Sequence, residues 1–215
     1  MPLTGRPTVE FFYCFSCPWT YLASIRLNEA ALRTGAVIEY RPVLATWIHQ
    51  DANHPDPHAQ ANPAAAAYAS KDLEDWARFC GVEIALPHPW PVRPEWAQRG
   101  AMAAIEAGLI RSYAEAIFRA HFAAGWNIAE REVVINVAAG CGLAGASFEA
   151  RLAADDVFAA IRRNSDELVK RGGFGSPTMF LRDDMYFGHD RVPLLESALM
   201  RAADRPFIAP GDHGR

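Results

Sequence analysis

The sequence lacks several features that would assign it to a well-marked class of protein. It has no apolar run long enough to span a membrane, and its lysines and arginines do not cluster. With 21 basic and 25 acidic residues, its formal net charge of −4 argues against a nucleic-acid-binding surface. Dinucleotide and phosphate-loop glycine motifs are absent, as are internal repeats. We therefore expect neither a nucleic acid nor a membrane among its partners.

Cysteine is also scarce. The four cysteines, at positions 14, 17, 80 and 141, show no spacing typical of a disulfide framework. The first residues are polar and lead directly into a predicted strand, without the features of a signal peptide. These observations predict a cytoplasmic protein. Hydrophobic residues make up 51% of the 215 positions, which is enough for a substantial core.

The most informative stretch is the passage from strand to helix around Cys17. Val9–Phe15 is apolar, β-branched and aromatic, which predicts a buried strand. Pro18 is typical of a first helical turn, and the apolar spacing after it predicts a helix to about Thr34. Cys17 is therefore expected at a helix N-terminus, where unpaired N–H groups and the helix dipole favour an anion. We expect the pKa of this thiol to be lowered.

The segment Ser16–Ala23, Ser-Cys-Pro-Trp-Thr-Tyr-Leu-Ala, resembles the opening of the 2-hydroxychromene-2-carboxylate isomerase family. That family is close to kappa-class glutathione transferases and similar to DsbA-like disulfide oxidoreductases. The isomerases usually have Ser-Pro-aromatic-Ser-Tyr-Leu-Ala, and the serine before the proline faces the glutathione thiol; Cys17 stands in its place. In the oxidoreductases this position is the attacking cysteine of Cys-Pro-x-Cys, but Thr20 replaces the second cysteine.

A second resemblance lies near the C-terminus, in Gly173–Phe180. This segment is similar to the family's Gly-x-Phe-Gly-Val-Pro-Thr. The resemblance implies that Pro177 is cis and that the backbone of Ser176 contacts the cysteinyl part of glutathione. An ordinary proline at the start of a strand is the alternative interpretation.

A third resemblance is Phe187–Val192, which is similar to the family's Trp/Phe-Gly-x-Asp-Arg-Leu. It implies that the backbone of His189 and the carboxylate of Asp190 hold the γ-glutamyl end of glutathione, with Arg191 as a further binding residue. The alternative is a plain helix cap, formed by Asp190, beside a surface arginine.

The segment Tyr68–Trp76 also resembles a helix of the family. The family usually has a lysine three residues before the tyrosine, and Ala65 occupies that position here. Asn53, in the loop before this helix, and Trp126 are further candidates for lining the glutathione site.

The order of elements predicts sheet-forming segments at both ends of the chain with helices between them. Val37–Val43 predicts a strand parallel to the first, followed by a long loop at Leu44–Pro63. After these helices, the sequence predicts a β-hairpin and a last helix. We expect an α/β fold, a thioredoxin-like domain with a large all-helical insertion. The predicted boundaries are residues 7–45 and 172–207 for the thioredoxin-like domain and 60–171 for the insertion.

Cys14 and Cys17 also form a Cys-x-x-Cys pair. In a redox pair the first cysteine lies at the junction of strand and helix, whereas Cys14 is expected inside the strand. We therefore expect Cys14 to be a small buried hydrophobic residue, with a resolving thiol as the alternative. The histidines and aspartates of the long loop match no compact ligand motif, so no metal site is expected.

The resemblance implies a glutathione-dependent isomerase that converts 2-hydroxychromene-2-carboxylate-like intermediates of aromatic degradation to trans-o-hydroxybenzylidenepyruvate. The glutathione thiolate would add to an unsaturated carbon, permit rotation and ring opening, and then leave. Cys17 would stabilise that thiolate, and Ser16 would donate a further hydrogen bond. The alternatives are a thiol-disulfide oxidoreductase or glutathione transferase in which Cys17 attacks, and a binding module without catalysis. The family also suggests a homodimer acting on a small aromatic substrate.

Overall fold

The computed structural model of the chain describes residues 6–51, 62–88 and 90–206. Within these ranges one four-stranded sheet has the order β2-β1-β3-β4. Strands β1 and β2 are parallel, whereas β3 is antiparallel to both β1 and β4. The strands β1 to β4 are Thr8–Tyr13, Val37–Pro42, Thr178–Leu181 and Asp184–Phe187.

Helices make up most of the remaining described chain. The helices α1 to α9 are Pro18–Thr34, Ala45–Asp51, Pro63–Phe79, Glu95–Glu106, Ile110–Phe118, Arg131–Gly140, Ala146–Ala153, Asp155–Lys170 and Val192–Ala202. A π-helical segment, Arg119–Ala123, continues α5, and a 3₁₀ turn, His189–Arg191, leads into α9. Among the described residues, the seven helices α2 to α8 lie between β2 and β3. The predicted thioredoxin-like α/β fold with inserted helices is confirmed, and the domain limits stay a prediction.

Helix α1 begins and ends as the sequence predicts, because both ends carry local signals. Pro18 lies in its first turn, where a missing N–H is tolerated. Gly35 follows the last turn with a φ of 76°, and its N–H donates to the carbonyl of Ala31 at 2.8 Å. This left-handed conformation is typical of a glycine that ends a helix.

Helix α2 lies inside the segment predicted as a loop, so that prediction is wrong for Ala45–Asp51. Seven residues are too few for a helix to be stable by itself in water. Its buried Ile48 packs with Phe12 and Phe180 in a core cluster beneath the sheet. Tertiary packing therefore stabilises this helix. In the described ranges, no helix is long and apolar enough to cross a membrane.

The side chains of β1 alternate between the two faces of the sheet, as a strand requires. Tyr13 belongs to the large core cluster, whereas Phe12 belongs to the smaller one under α2. The amide of Gln98 on α4 is fully buried, and its Nε2 donates to the carbonyls of Tyr13, at 2.8 Å, and Val43. Gln98 thus ties the inserted helices to the ends of β1 and β2, beside the start of α1.

Candidate functional site

A tight turn connects the end of β1 to the start of α1. Strand β1 ends at Tyr13, and the N–H of Cys17 donates to the carbonyl of Cys14 at 3.2 Å. Phe15 and Ser16 form the corner of this turn. Cys14 therefore follows the strand, and the prediction that it lies inside the strand is wrong. Its burial, with 0% of the residue exposed, agrees with the expected small hydrophobic residue.

Ser176, in the loop before β3, contacts both the turn and the start of α1. The Ser176–Pro177 peptide bond is cis, as the resemblance implied. Its carbonyl accepts a hydrogen bond from Cys17 Sγ at 3.3 Å. The Ser176 hydroxyl accepts from the N–H of Cys14 at 2.9 Å and lies 2.9 Å from Thr20 Oγ1. One residue thus contacts both cysteines and the first turn of α1.

The hydroxyl of Ser16 lies on the other side of the turn. Ser16 Oγ is 3.2 Å from Cys14 Sγ, and the two groups share a hydrogen bond in which either atom is able to donate. In this arrangement the hydroxyl is engaged with Cys14. The role of Ser16 as a donor to a ligand thiolate stays a prediction.

The electrostatics of Cys17 differ from the expectation. Burial raises the pKa of the Cys17 thiol above its ordinary 9.0, although the residue is not fully covered. Hydrogen bonds from the Thr20 hydroxyl and from the N–H groups of Thr20 and Trp19 lower this pKa only in part. The predicted lowering of the Cys17 pKa is wrong, because loss of hydration destabilises the thiolate more than the helix N-terminus stabilises it. Cys17 is a neutral thiol that donates its S–H to Ser176.

The imidazole of His189 is enclosed by aromatic rings. It stacks on Trp19 with a centroid distance of 4.7 Å and meets Trp76 edge-on at 4.5 Å. The residue is 8% exposed, and its Nε2 has no hydrogen-bond partner among the described residues. Burial lowers the pKa of His189 to about 4, so the ring is neutral at pH 7. The sequence resemblance implied a role only for the backbone of His189, and no sequence pattern indicates this buried nitrogen.

Trp19 connects the turn to the His189 segment, since it lies two residues after Cys17. Arg26, two turns further along α1, donates from Nη1 to the carbonyl of His189 at 2.9 Å. Its guanidinium lies 4.9 Å from the ring centroid of Trp76, which is a cation–π distance. Helix α1 therefore positions both the Cys17 turn and the His189 segment.

Asp190 and Arg191 are exposed and form an ion pair, with Arg191 Nη1 2.6 Å from Asp190 Oδ2. The alternative in which Asp190 caps the last helix is wrong. Helix α9 begins at Val192, its N-cap residue is Arg191, and no side chain caps it. The 3₁₀ turn occupies the positions where the helix was expected to start. The carboxylate of Asp190 is thus at the surface beside His189.

The remaining candidates are not brought to Cys17 by any described contact. Trp126 is 49% exposed, and its carbonyl is 3.0 Å from Nδ1 of His121. Ala65 is exposed in the first turn of α3, where its N–H donates to Asn62 Oδ1 at 2.8 Å. Asn53 lies outside the described residues. Within the described ranges, no group of three or more His, Cys, Asp or Glu is placed to hold a metal ion.

The chain is similar to several known proteins. A 2-hydroxychromene-2-carboxylate isomerase of Sphingobium xenophagum is 29% identical over 202 residues, covering 90% of this chain and 98% of its own. An enzyme of the same name from Pseudomonas putida is 27% identical over 196 residues, covering 90% and 94%. A solved structure of a 2-hydroxychromene-2-carboxylate isomerase has a TM-score of 0.82 at 25% identity, covering 90% and 95%. Since residues 8–200 match the DSBA-like thioredoxin domain, the chain belongs to that family.

Proposed function

We propose that this protein is a glutathione-dependent isomerase of 2-hydroxychromene-2-carboxylate or a similar intermediate of aromatic degradation. Relatives that carry this enzyme name align with about nine-tenths of the chain, which supports an isomerase. The observation that carries the proposal is the hydrogen bond from Cys17 Sγ to Ser176 O at 3.3 Å. A neutral S–H at the start of α1 is a hydrogen-bond donor, which is the chemistry of the serine hydroxyl in the family's motif.

The residues around the site suit glutathione, which has a thiol, an amine and two carboxylates. The buried Nε2 of His189, with no partner among the described residues, is a polar atom that a ligand would satisfy. The exposed carboxylate of Asp190 is suited to an amine and the exposed guanidinium of Arg191 to a carboxylate. Ala65 supplies no charge where the family has a lysine, so we expect weaker binding of one carboxylate.

When bound, glutathione supplies a thiolate able to add reversibly to an unsaturated carbon of the substrate. The chain's own contribution is electrostatic. Cys17 keeps its proton on Sγ at neutral pH and donates it in a hydrogen bond. The backbone N–H groups in the first turn of α1 favour a negative charge at the same place. Because its pKa is raised, only a small fraction of Cys17 is thiolate at pH 7. Attack by Cys17 itself is therefore slow at this pH, which favours the isomerase over the oxidoreductase as the main activity.

We also propose a homodimer in the cytoplasm. The four cysteines are free thiols, which suits a reducing compartment. The mass of the native protein in solution, measured by light scattering, should equal that of two chains. A monomer at micromolar concentration would contradict the dimer without affecting the proposed chemistry.

The test is the ultraviolet spectrum of 2-hydroxychromene-2-carboxylate with enzyme, in the presence and absence of glutathione. We expect conversion that requires glutathione, that Cys17→Ser retains because a hydroxyl also donates, and that Cys17→Ala reduces at least about tenfold, the effect of losing about 1.4 kcal/mol of stabilisation. Cys141→Ala, a change at the end of α6, where the thiol contacts the carbonyl of Ser112, is the matched control. Conversion that is independent of glutathione, or equal in Cys17→Ala, would refute the proposal.

A further inference from the structure

Cys14 and Cys17 occupy the first and fourth positions of the turn between β1 and α1. We propose that these two cysteines form a reversible disulfide, so that the turn is a redox site in which Cys14 is the resolving thiol. Cys14 lies after strand β1, which ends at Tyr13, and so its position does not exclude it from a redox pair. The effect on catalysis, described below, rests on the proposed function, whereas formation of the disulfide does not.

The backbone brings the two residues within bonding range. The N–H of Cys17 donates to the carbonyl of Cys14 at 3.2 Å, which closes a four-residue turn. In such a turn the first and fourth Cα atoms lie less than about 7 Å apart. Disulfides join Cα atoms that are about 4.4–6.8 Å apart. Both thiols are free, so the pair is in its reduced state.

The side chains have the asymmetry that thiol-disulfide exchange requires. Cys17 is partly exposed, so we expect a small disulfide to react with it before it reaches Cys14. Cys14 is fully buried, and a resolving thiol needs access only to its partner. Ser176 contacts both residues, since its hydroxyl accepts from the N–H of Cys14 and its carbonyl accepts from Cys17 Sγ. Cys80 and Cys141 lie at the ends of other helices.

The reaction balances with a low-molecular-weight disulfide as the oxidant. The Cys17 thiolate attacks one sulfur of the small disulfide, whose S–S bond breaks to release one small thiolate. Cys14 then loses its proton to solvent and attacks Cys17 Sγ, and the second small thiolate leaves. Two protein thiols are oxidised to one disulfide, and the small disulfide is reduced to two thiols. Burial raises the pKa of Cys17, so the rate should increase with pH.

The test treats the full chain with 2-hydroxyethyl disulfide, blocks the remaining thiols with iodoacetamide after denaturation, and identifies the cysteine products by peptide mass spectrometry. Wild type should yield a peptide with Cys14 and Cys17 joined, reversed by dithiothreitol. Cys14→Ala should instead accumulate the small adduct on Cys17, whereas Cys80→Ala should behave as wild type. A persistent adduct on Cys17 in wild type, or no reaction of Cys17 at all, would overturn the proposal.

Two further measurements separate this proposal from the proposed function. If Cys14→Ala unfolds at a lower temperature than wild type, the test is repeated with Cys14→Ser, because serine has nearly the size of cysteine and also forms a hydrogen bond. If the protein isomerises 2-hydroxychromene-2-carboxylate, oxidation of wild type should reduce that activity at least about tenfold, and dithiothreitol should restore it. In Cys14→Ala, oxidation should reduce the activity only in proportion to the fraction of Cys17 that carries the small adduct. If the protein has no isomerase activity, the mass-spectrometric result still decides whether the disulfide forms.

Discussion

Replacing Ser176 with valine, the residue that the resembling family has at this position, should destabilise this chain. The hydroxyl of Ser176 bonds the N–H of Cys14 and lies at hydrogen-bond distance from Thr20 Oγ1, each at 2.9 Å. A hydrogen bond of this kind contributes about 0.5–1.5 kcal/mol net, and a buried N–H left without a partner costs about 1–3 kcal/mol. We expect Ser176→Val to lower the free energy of unfolding by about 2–3 kcal/mol.

Thr20→Val is the matched comparison, because valine has nearly the shape of threonine. Thr20 is fully buried, and its loss removes one of the two bonds while Ser176 still accepts from Cys14. The expected cost is about 1 kcal/mol. The double variant should cost about 1 kcal/mol less than the sum of the two single variants, since both remove the same Thr20–Ser176 bond.

Thermal and urea unfolding would measure these differences. For a chain of this size, 1 kcal/mol corresponds to about 2–4 °C in Tm. Ser176→Val should therefore unfold about 4–12 °C lower, and Thr20→Val about 2–4 °C lower. The reasoning would be refuted if Ser176→Val cost no more than Thr20→Val, because the N–H of Cys14 would then need no partner.

Three further predictions concern single groups. The rate of alkylation of Cys17 should reach half its maximum above pH 9.0, and higher still in Thr20→Val; a midpoint below pH 9.0 would contradict the burial argument. As the pH falls from 6.5 towards about 4, wild type should lose up to about 3 kcal/mol more stability than His189→Phe, because His189 takes up a proton near pH 6.5 only when unfolded. Equal acid sensitivity in urea unfolding would rule this out. Gly100→Ala should lower the unfolding free energy by about 1–3 kcal/mol, since an added Cβ would lie 2.8 Å from Tyr113 Cζ, and an unchanged Tm would show that the ring moves at no cost.

The elements with local signals were predictable, and those held by tertiary packing were not. Helix α1 has a proline in its first turn and a glycine after its last, so its bounds follow from neighbouring residues. Helix α2 has no such signals and depends on Ile48 entering the core. A helix cap at Asp190 was wrong because a 3₁₀ turn of three residues and a helical turn have similar sequence patterns.

The candidate site shows the same division. The types and order of its residues resemble one family, from Cys17 through Ser176 and Pro177 to His189. This resemblance predicted the fold and an isomerase as the function. The sequence does not show what packs over a side chain, so the raised pKa of Cys17 and the buried Nε2 of His189 are evident only in the folded structure.

The sequence by itself determined the helix start after Cys17, the end of α1 and the family, because capping chemistry and motif order are local or linear properties of the chain. Only the tertiary structure decided the state of the Cys17 thiol, since the free energy of a buried charge depends on groups distant along the chain. It also decided that Cys14 and Cys17 lie at the two ends of one turn. Strand β1 ends where Gln98 donates to the carbonyl of Tyr13 and Ser176 accepts from the N–H of Cys14, and both residues come from later parts of the chain.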